Sequence, residues 1–160
     1  MKKRLFTLCL ATKEGKILLG MKKRGFGMGR WNGFGGKVEA GETIPEAARR
    51  EMFEECGVGV ENMEYRGVHE FIFESRPDEI MVVHIFCVDS FVGFPEETDE
   101  MKPKWFNFEN IPYKDMWADD EYWFPLFLEN KKFQGKFYFG KGDKILSQEL
   151  KEVSDLPSLE

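Results

Sequence analysis

The feature that most constrains the fold of this chain is a short helix whose two ends are both marked in the sequence. Thr43 is a suitable N-cap, and Glu46 three residues later completes a capping box, with Pro45 in the first turn. Gly57 stands where a C-cap glycine is expected. These signals predict a helix from Thr43 to Cys56.

One face of this helix is acidic. Glu51 and Glu55 are four residues apart and share a face, and Glu54 lies beside them. Such carboxylates repel each other by roughly a few tenths of a kcal/mol per pair, which a bound cation would relieve. Oxygen ligands suit Mg²⁺ or Mn²⁺ better than Zn²⁺, and Arg50 can orient Glu54. The alternative is a solvated acidic face without a ligand. The opposite face is expected to contact the core through Ala48, Met52 and Cys56.

The composition favours a cytoplasmic protein. The 160 residues carry 23 basic and 29 acidic side chains, a net charge of −6, which disfavours binding to nucleic acid polymers or membranes. No apolar run approaches the ~20 residues of a membrane span, and the basic start has no cleavage site typical of a signal peptide. A monomer is the default expectation. The three separated cysteines are expected to be buried reduced thiols: Cys9, Cys56 and Cys87.

The apolar patterns predict one α+β domain over residues 1–160, with a mixed sheet. Predicted strands lie at residues 5–10, 17–19, 65–73, 80–88, 104–108, 133–139 and 145–150. The strand at 80–88 is almost continuously apolar and is expected to be central. A second helix is predicted at 119–130, with Pro125 disturbing it, and a polar tail at 154–160.

The segment around the first helix also matches a longer pattern, G-x5-E-x7-R-E-U-x-E-E-x-G-U, in which U is apolar. The matching residues are Gly36, Glu42, Arg50, Glu51, Met52, Glu54, Glu55, Gly57 and Val58. In these residues the chain resembles the Nudix hydrolases. The resemblance implies an α/β/α sandwich with a central mixed sheet, and an enzyme that hydrolyses phosphoric anhydrides with magnesium, for which manganese is a possible substitute.

The same resemblance implies roles for individual residues. The implied metal ligands are the carbonyl of Gly35 and the carboxylates of Glu51, Glu54 and Glu55. The candidate catalytic residues are Glu55, Glu51 and Arg50, with Glu55 as the base or water-orienting group. Because the cation activates the water that attacks phosphorus, no serine–histidine–aspartate arrangement is needed. His69 and His84 are expected to be structural.

The glycines before the helix do not match other phosphate loops. Lys37 is not followed by Ser or Thr as in a Walker loop, and residues 25–30 lack the last glycine of a dinucleotide fingerprint. Close approach of the backbone to phosphates and metal explains the glycines better. Four basic residues lie nearby: Lys22, Lys23, Arg24 and Arg30. Those that face inward would attract a triphosphate, and the alternative is that they lie on a solvated hairpin tip.

A second motif combines acids with aromatic rings, which make up 15% of the chain. Asp119 and Asp120 lie between Trp117 and Trp123. Desolvation and mutual repulsion raise the pKa of at least one such acid, so that the pair can present a donor and an acceptor to the edge of a purine. An indole can stack on the base. The alternative is that the acids occupy the first turn of a helix, where its dipole favours them.

Residues 20–38, 83–90 and 115–125 resemble the branch of the Nudix family that hydrolyses oxidised purine nucleoside triphosphates. The resemblance implies cleavage of 8-oxo-dGTP, 2-hydroxy-dATP and related nucleotides to the monophosphate and pyrophosphate, and it adds the mitochondrial matrix and nucleus as possible compartments. It implies base contacts by Asn32, Trp117, Asp119 and Asp120. The other implied contacts are the pocket residues Thr7, Lys22, Phe26, Phe71, Phe73, Met81, Met101 and Trp123, the nucleotide-binding run Phe34, Gly35, Gly36 and Lys37, and the additional metal ligand Glu100.

Two departures from that branch bear on substrate preference. Val82 stands where an acidic residue is expected, and the segment between Gly67 and Met81 is one residue longer. The open alternatives are a Nudix hydrolase of another diphosphate-linked substrate and a non-catalytic nucleotide-binding module. The second is disfavoured because all three helix glutamates are present. If one acid of the pair at 119–120 is protonated, donor and acceptor roles could exchange, and one pocket could accept both oxidised guanine and oxidised adenine.

Overall fold

A computed structural model describes residues 1–159 of the protein, and Glu160, the last residue of the predicted tail, lies outside them. Eight strands form one mixed sheet. Their bounds are Lys2–Lys13 (β1), Lys16–Lys22 (β2), Trp31–Asn32 (β3), Gly59–Phe73 (β4), Arg76–Val92 (β5), Met101–Asn107 (β6), Lys132–Phe139 (β7) and Ile145–Val153 (β8). The order is β3-β2-β1-β5-β4-β7-β8, with β6 paired to β2. Strand β5 is central, as its apolar sequence predicts.

The pairing is parallel between β1 and β5 and between β4 and β7, and antiparallel elsewhere. The mixed sheet of the sequence prediction is therefore confirmed. Strands β1, β4 and β5 are longer than predicted, because exposed polar residues at their ends continue the hydrogen-bonded ladder. None of the helices within residues 1–159 combines the length and the hydropathy needed to cross a membrane.

The first helix, α1, spans Ile44–Cys56 and has the predicted caps. The Thr43 hydroxyl accepts from the Glu46 N–H at 3.2 Å, and the Glu46 carboxylate accepts from the Thr43 N–H at 2.9 Å. Gly57 has φ +76°, a left-handed conformation that glycine adopts without strain. The buried face of α1 packs on Cys9, Ala11 and neighbouring apolar residues of the sheet.

The second helix, α2, spans Asp120–Leu128 and covers the opposite face of the sheet. Its aromatic residues pack on Leu10, Val83 and Ile85, which alternate along β1 and β5 with the residues that face α1. The two cores on opposite faces form the α/β/α sandwich that the resemblance implies. Pro125 lies inside α2 without ending it.

A buried arginine attaches the end of α2 to the sheet. Arg66 of β4 is 2% exposed, and its guanidinium donates to the main-chain carbonyls of Phe127 and Lys131. It also lies over the Phe127 ring, 4.8 Å from the centroid. Carbonyls at the end of a helix have no partner within it and carry partial negative charge. Arg66 adds a charged donor to the Phe127 carbonyl, which also accepts from the Asn130 N–H at 3.1 Å, and a donor to Lys131 just beyond α2, and so fixes the position of α2 on β4.

Candidate active site

The structure contains a cavity of about 290 Å³, close to the lower end of the ~300–1,000 Å³ typical of small-molecule sites. Strands β1, β4 and β5, the glycine-rich loop before α1, and the start of α2 all contribute to its wall. Glu55 from the acidic face of α1 reaches it as well. The cavity therefore connects the two motifs singled out in the sequence.

Most of the predicted substrate-binding residues line this cavity. They are Thr7, Lys22, Phe26, Asn32, Gly35, Gly36, Phe71, Phe73, Met81, Met101, Trp117, Asp119, Asp120 and Trp123. Phe34 does not, because its side chain is fully buried in the core beneath α1 and its main chain pairs with Cys9. Lys37 also lies outside the lining, and its carbonyl accepts from Arg50 at 3.0 Å.

Trp117 forms one aromatic wall and is held by neighbours on the glycine-rich loop. Phe26 stacks on it with ring centroids 5.0 Å apart and planes inclined by 21°. The Arg30 guanidinium lies 4.2 Å from the centre of the indole and is paired with Asp143 at 2.9 Å. Gly27 approaches the indole so closely that a Cβ there would lie 3.2 Å from its Nε1. These contacts orient the ring independently of any ligand.

The acid pair lies at the start of α2, deep in the same cavity. Asp119 and Asp120 are each 3% exposed. Asp119 does not cap the helix; its Oδ2 instead accepts from the Trp123 indole N–H at 2.8 Å. Burial raises the pKa of Asp119 above its ordinary value, and burial together with the charge of Asp119 raises the pKa of Asp120 further. Asp120 thus lies in the first turn of α2, and both acids line the cavity, so the two alternatives considered for the sequence hold together.

Three residues of the cavity have buried polar atoms without a hydrogen-bond partner within residues 1–159. These atoms are the Thr7 hydroxyl oxygen, both ring nitrogens of His69 and Oδ2 of Asp120. A buried polar group without a partner costs about 1–3 kcal/mol. Since all of these atoms belong to residues that line one cavity, that cavity is suited to a ligand that forms several hydrogen bonds.

The end of the cavity beside α1 contains a buried glutamate. Glu55 is 5% exposed, and its Oε1 accepts from the Gly35 N–H at 2.9 Å. Burial raises the pKa of Glu55 to about 7. The Lys22 ammonium lies 3.8 Å from Glu55 Oε2 and 3.2 Å from Glu100 Oε2. Arg24 also pairs with Glu100 at 2.8 Å, so the carboxylates at this end of the cavity attract cations from the loop after β2.

The other helix glutamates are held by Arg50. Its guanidinium donates to Glu42, to Glu51 at 2.9 Å and to Glu54 at 3.2 Å. The Glu51 carboxyl lies against Gly36, where a Cβ would stand only 2.7 Å from it. Within residues 1–159, no three potential ligand side chains stand together as a ready-made metal cluster.

The donor set nevertheless fits a hard cation. Glu51, Glu54 and Glu55 supply carboxylate oxygens, and the Gly35 carbonyl is the further ligand implied by the resemblance. Space beside Glu51 depends on Gly36 having no side chain. Buried Glu55 would be stabilised in its charged form by a nearby cation. These features are those that a magnesium site needs.

Two features near the cavity were not expected from the sequence, namely the position of His69 and the pairing of Asp143 with Arg30. His69 was expected to be structural, yet it lines the cavity, whereas His84 lies outside it and pairs with the Phe6 carbonyl at 3.2 Å. The alternation of β4 could have revealed His69, since it shares a face with Phe71 two residues on. No local signal could have paired Asp143 with a loop 113 residues earlier.

Comparison with known proteins decides the family. The NUDIX domain family profile matches residues 1–127. The chain belongs to the Nudix family. This Nudix protein is 53% identical over 150 residues to the oxidized purine nucleoside triphosphate hydrolase of Mus musculus, covering 94% of this chain and 96% of the relative. It is 52% identical over 153 residues to the protein of the same name from Danio rerio, covering 96% and 97%.

Solved structures agree with the fold of this Nudix protein. The crystal structure of the mutator MutT protein from Bacillus halodurans superposes with a TM-score of 0.82 and 28% identity, over 92% of this chain and 97% of that one. The MutT protein from Methanosarcina mazei Go1, at 22% identity, superposes with a TM-score of 0.68 over 82% and 97% of the two chains.

Proposed function

We propose that this Nudix protein hydrolyses oxidised purine nucleoside triphosphates, such as 8-oxo-dGTP and 2-hydroxy-dATP, to the monophosphate and pyrophosphate. The observation that carries the proposal is the position of Asp119 and Asp120, buried side by side in a cavity whose aromatic residues include Trp117. A flat base with donors and acceptors on its edge has the chemistry that this arrangement binds. The relatives from mouse and zebrafish, with this activity in their names, support the same substrate class.

Each end of the cavity has its own task in this proposal. Asn32, Asp119 and Asp120 hydrogen-bond the base, and Lys22 attracts the phosphates. Glu51, Glu54, Glu55 and the Gly35 carbonyl would hold Mg²⁺, assisted by Glu100, and the ion supplies charge neutralisation of the polyphosphate and activation of water. Glu55 orients that water or accepts its proton, since it is buried at this end of the cavity and its carboxylate is held by the Gly35 N–H. Arg50 holds Glu51 and Glu54 in place.

The acid pair explains how one pocket could accept two oxidised bases. When one carboxyl is protonated it donates a hydrogen bond, and its neighbour accepts one; exchange of the proton reverses the roles. The raised pKa of both acids supports this hypothesis. Different pH–rate profiles for 8-oxo-dGTP and 2-hydroxy-dATP are expected. Identical profiles, together with unimpaired Asp119→Asn and Asp120→Asn variants, would contradict it.

The decisive experiment is a hydrolysis panel of normal and oxidised purine and pyrimidine deoxynucleoside triphosphates with Mg²⁺. Pyrophosphate release should be faster from the oxidised purines than from dGTP or dATP, and Glu55→Gln should lose it while the protein stays folded. No release from any oxidised purine would refute the proposal. Monomeric state in solution and a cytoplasmic location stay predictions, to be checked by light scattering and by microscopy.

A further inference from the structure

His69 is a polar residue in an aromatic part of the base cavity. It lies on β4 with no exposed surface, and its ring is 5.1 Å from the Trp123 ring and 5.2 Å from the Phe133 ring, centroid to centroid. The Trp123 indole in turn donates to Asp119. The Trp123 ring therefore lies between His69 and Asp119, one of the two acids that contact the base in the proposed function.

Both ring nitrogens of His69 are without a hydrogen-bond partner within residues 1–159. The main chain of Val68 is close enough to affect the ring, but it forms no hydrogen bond of normal geometry with it. Burial lowers the pKa of His69 to about 3, so the imidazole is neutral near pH 7. A neutral imidazole has one N–H donor and one nitrogen acceptor.

Packing alone does not account for a histidine at this position. Leucine or phenylalanine would fill a cavity floor bounded by aromatic rings without burying two polar atoms that lack partners. The surrounding backbone is also shaped around the imidazole. The edge with Nδ1 and Cε1 lies over Gly135 of β7, where a Cβ would stand 2.5 Å from Nδ1.

We propose that His69 is a specificity-determining residue, whose imidazole gives the floor of the cavity one ring nitrogen, opposite the edge over Gly135, that hydrogen-bonds the edge of an oxidised purine base. The inference rests on the proposed function and extends it by a base contact that the motifs do not include. According to the tautomer, this nitrogen donates to the exocyclic oxygen or accepts from the adjacent ring N–H, the two groups that distinguish an oxidised purine from its parent base. His69 thereby adds to discrimination at the acid pair.

The test uses the whole protein and two oxidised purine monophosphates, 8-oxo-dGMP and 2-hydroxy-dAMP, with dGMP for comparison. The ¹⁵N resonances of the His69 ring should shift when an oxidised monophosphate binds, whereas those of His84, outside the cavity, should not. In His69→Leu, the preference in kcat/KM for oxidised over normal purine triphosphate should fall by roughly three- to tenfold, the range of one net hydrogen bond. His69→Gln, which has a donor and an acceptor, should recover part of the preference.

The control variant is His84→Leu, the same substitution on the neighbouring strand, which should leave the preference unchanged. Unchanged His69 resonances on binding, or the same preference in His69→Leu as in the wild type, would overturn the inference, even if the variants differ in stability. The resonance measurement needs no variant, so misfolding of His69→Leu does not prevent the test. A wild type that hydrolyses the oxidised triphosphates without involving His69 keeps the proposed function and refutes this inference. A protein that binds the monophosphates through His69 but releases no pyrophosphate supports this inference and refutes the proposed function.

Discussion

Replacing Trp123 with phenylalanine removes its hydrogen bond to Asp119 together with part of the packing of the ring. The indole is 1% exposed, and its N–H is the donor to Asp119 Oδ2. Hydrogen bonds to charged groups contribute about 1.5–3 kcal/mol, and the two carbons lost with the smaller ring add about 0.8 kcal/mol each. Trp123→Phe should therefore lower the free energy of unfolding by about 3–5 kcal/mol. At about 2–4 °C per kcal/mol for a domain of this size, Tm should fall by about 6–20 °C.

The assay is urea denaturation at pH 7, followed by kinetics at a temperature where the variant is folded. Because Asp119 loses the group that orients it, KM for oxidised purine triphosphates should rise. Trp105→Phe is the matched control: Trp105 packs on Phe91 with centroids 6.0 Å apart, and within residues 1–159 its indole N–H has no acceptor. If Trp123→Phe destabilises the protein no more than Trp105→Phe and leaves KM unchanged, the role assigned to this hydrogen bond is refuted.

Three further substitutions test other parts of the structure. Asp120→Asn should stabilise the protein at pH 8 and flatten the pH dependence of its stability. The pKa of Asp120 is raised in the folded protein, so the wild type has its full stability below the unfolded pKa of 3.8 and loses it as the pH rises through the folded-state pKa. Equal urea midpoints for variant and wild type at pH 5 and pH 8 would contradict this. Arg66→Met should cost about 3–6 kcal/mol, since it removes two hydrogen bonds of a charged group, each contributing about 1.5–3 kcal/mol; hydrogen exchange should increase first in α2, and uniform exchange would argue against the explanation. Gly135→Ala should lower Tm, since overpacking costs about 1–3 kcal/mol and the added Cβ would stand 2.5 Å from His69 Nδ1; an unchanged Tm would show that the floor of the cavity is not tightly packed.

Local signals predicted the part of the fold that local interactions determine. The bounds of α1 follow from Thr43, Glu46 and Gly57, whose hydrogen bonds and backbone conformation are set within a few residues. The order of the strands and the pairing of β6 with β2 depend on contacts between distant segments. Strand β3, with two residues, has no detectable periodicity. Such features could not be obtained from spacing in one sequence.

The same distinction applies to the candidate site. Most of the residues that the resemblance implies for substrate binding line the cavity, but Phe34 lies in the core and Lys37 lies outside the lining. The apolar residues that share a core cluster with Phe34 come from α1 and several strands of the sheet, so its environment is not visible in the adjacent sequence. His69 could have been identified from strand alternation, whereas its lack of hydrogen-bond partners required the positions of β7 and α2.

The packing of α1 and α2 on opposite faces of the sheet also bears on how proteins of this architecture diverge. The glutamates belong to the helix over one core, and the acids proposed to contact the base lie at the start of the helix over the other. Effects of substitutions at separated sites without shared partners are close to additive. A lineage can therefore accumulate changes around α2 and acquire a different base preference while its hydrolytic centre stays intact. Selection for a new substrate and selection for turnover then act on largely independent sets of residues.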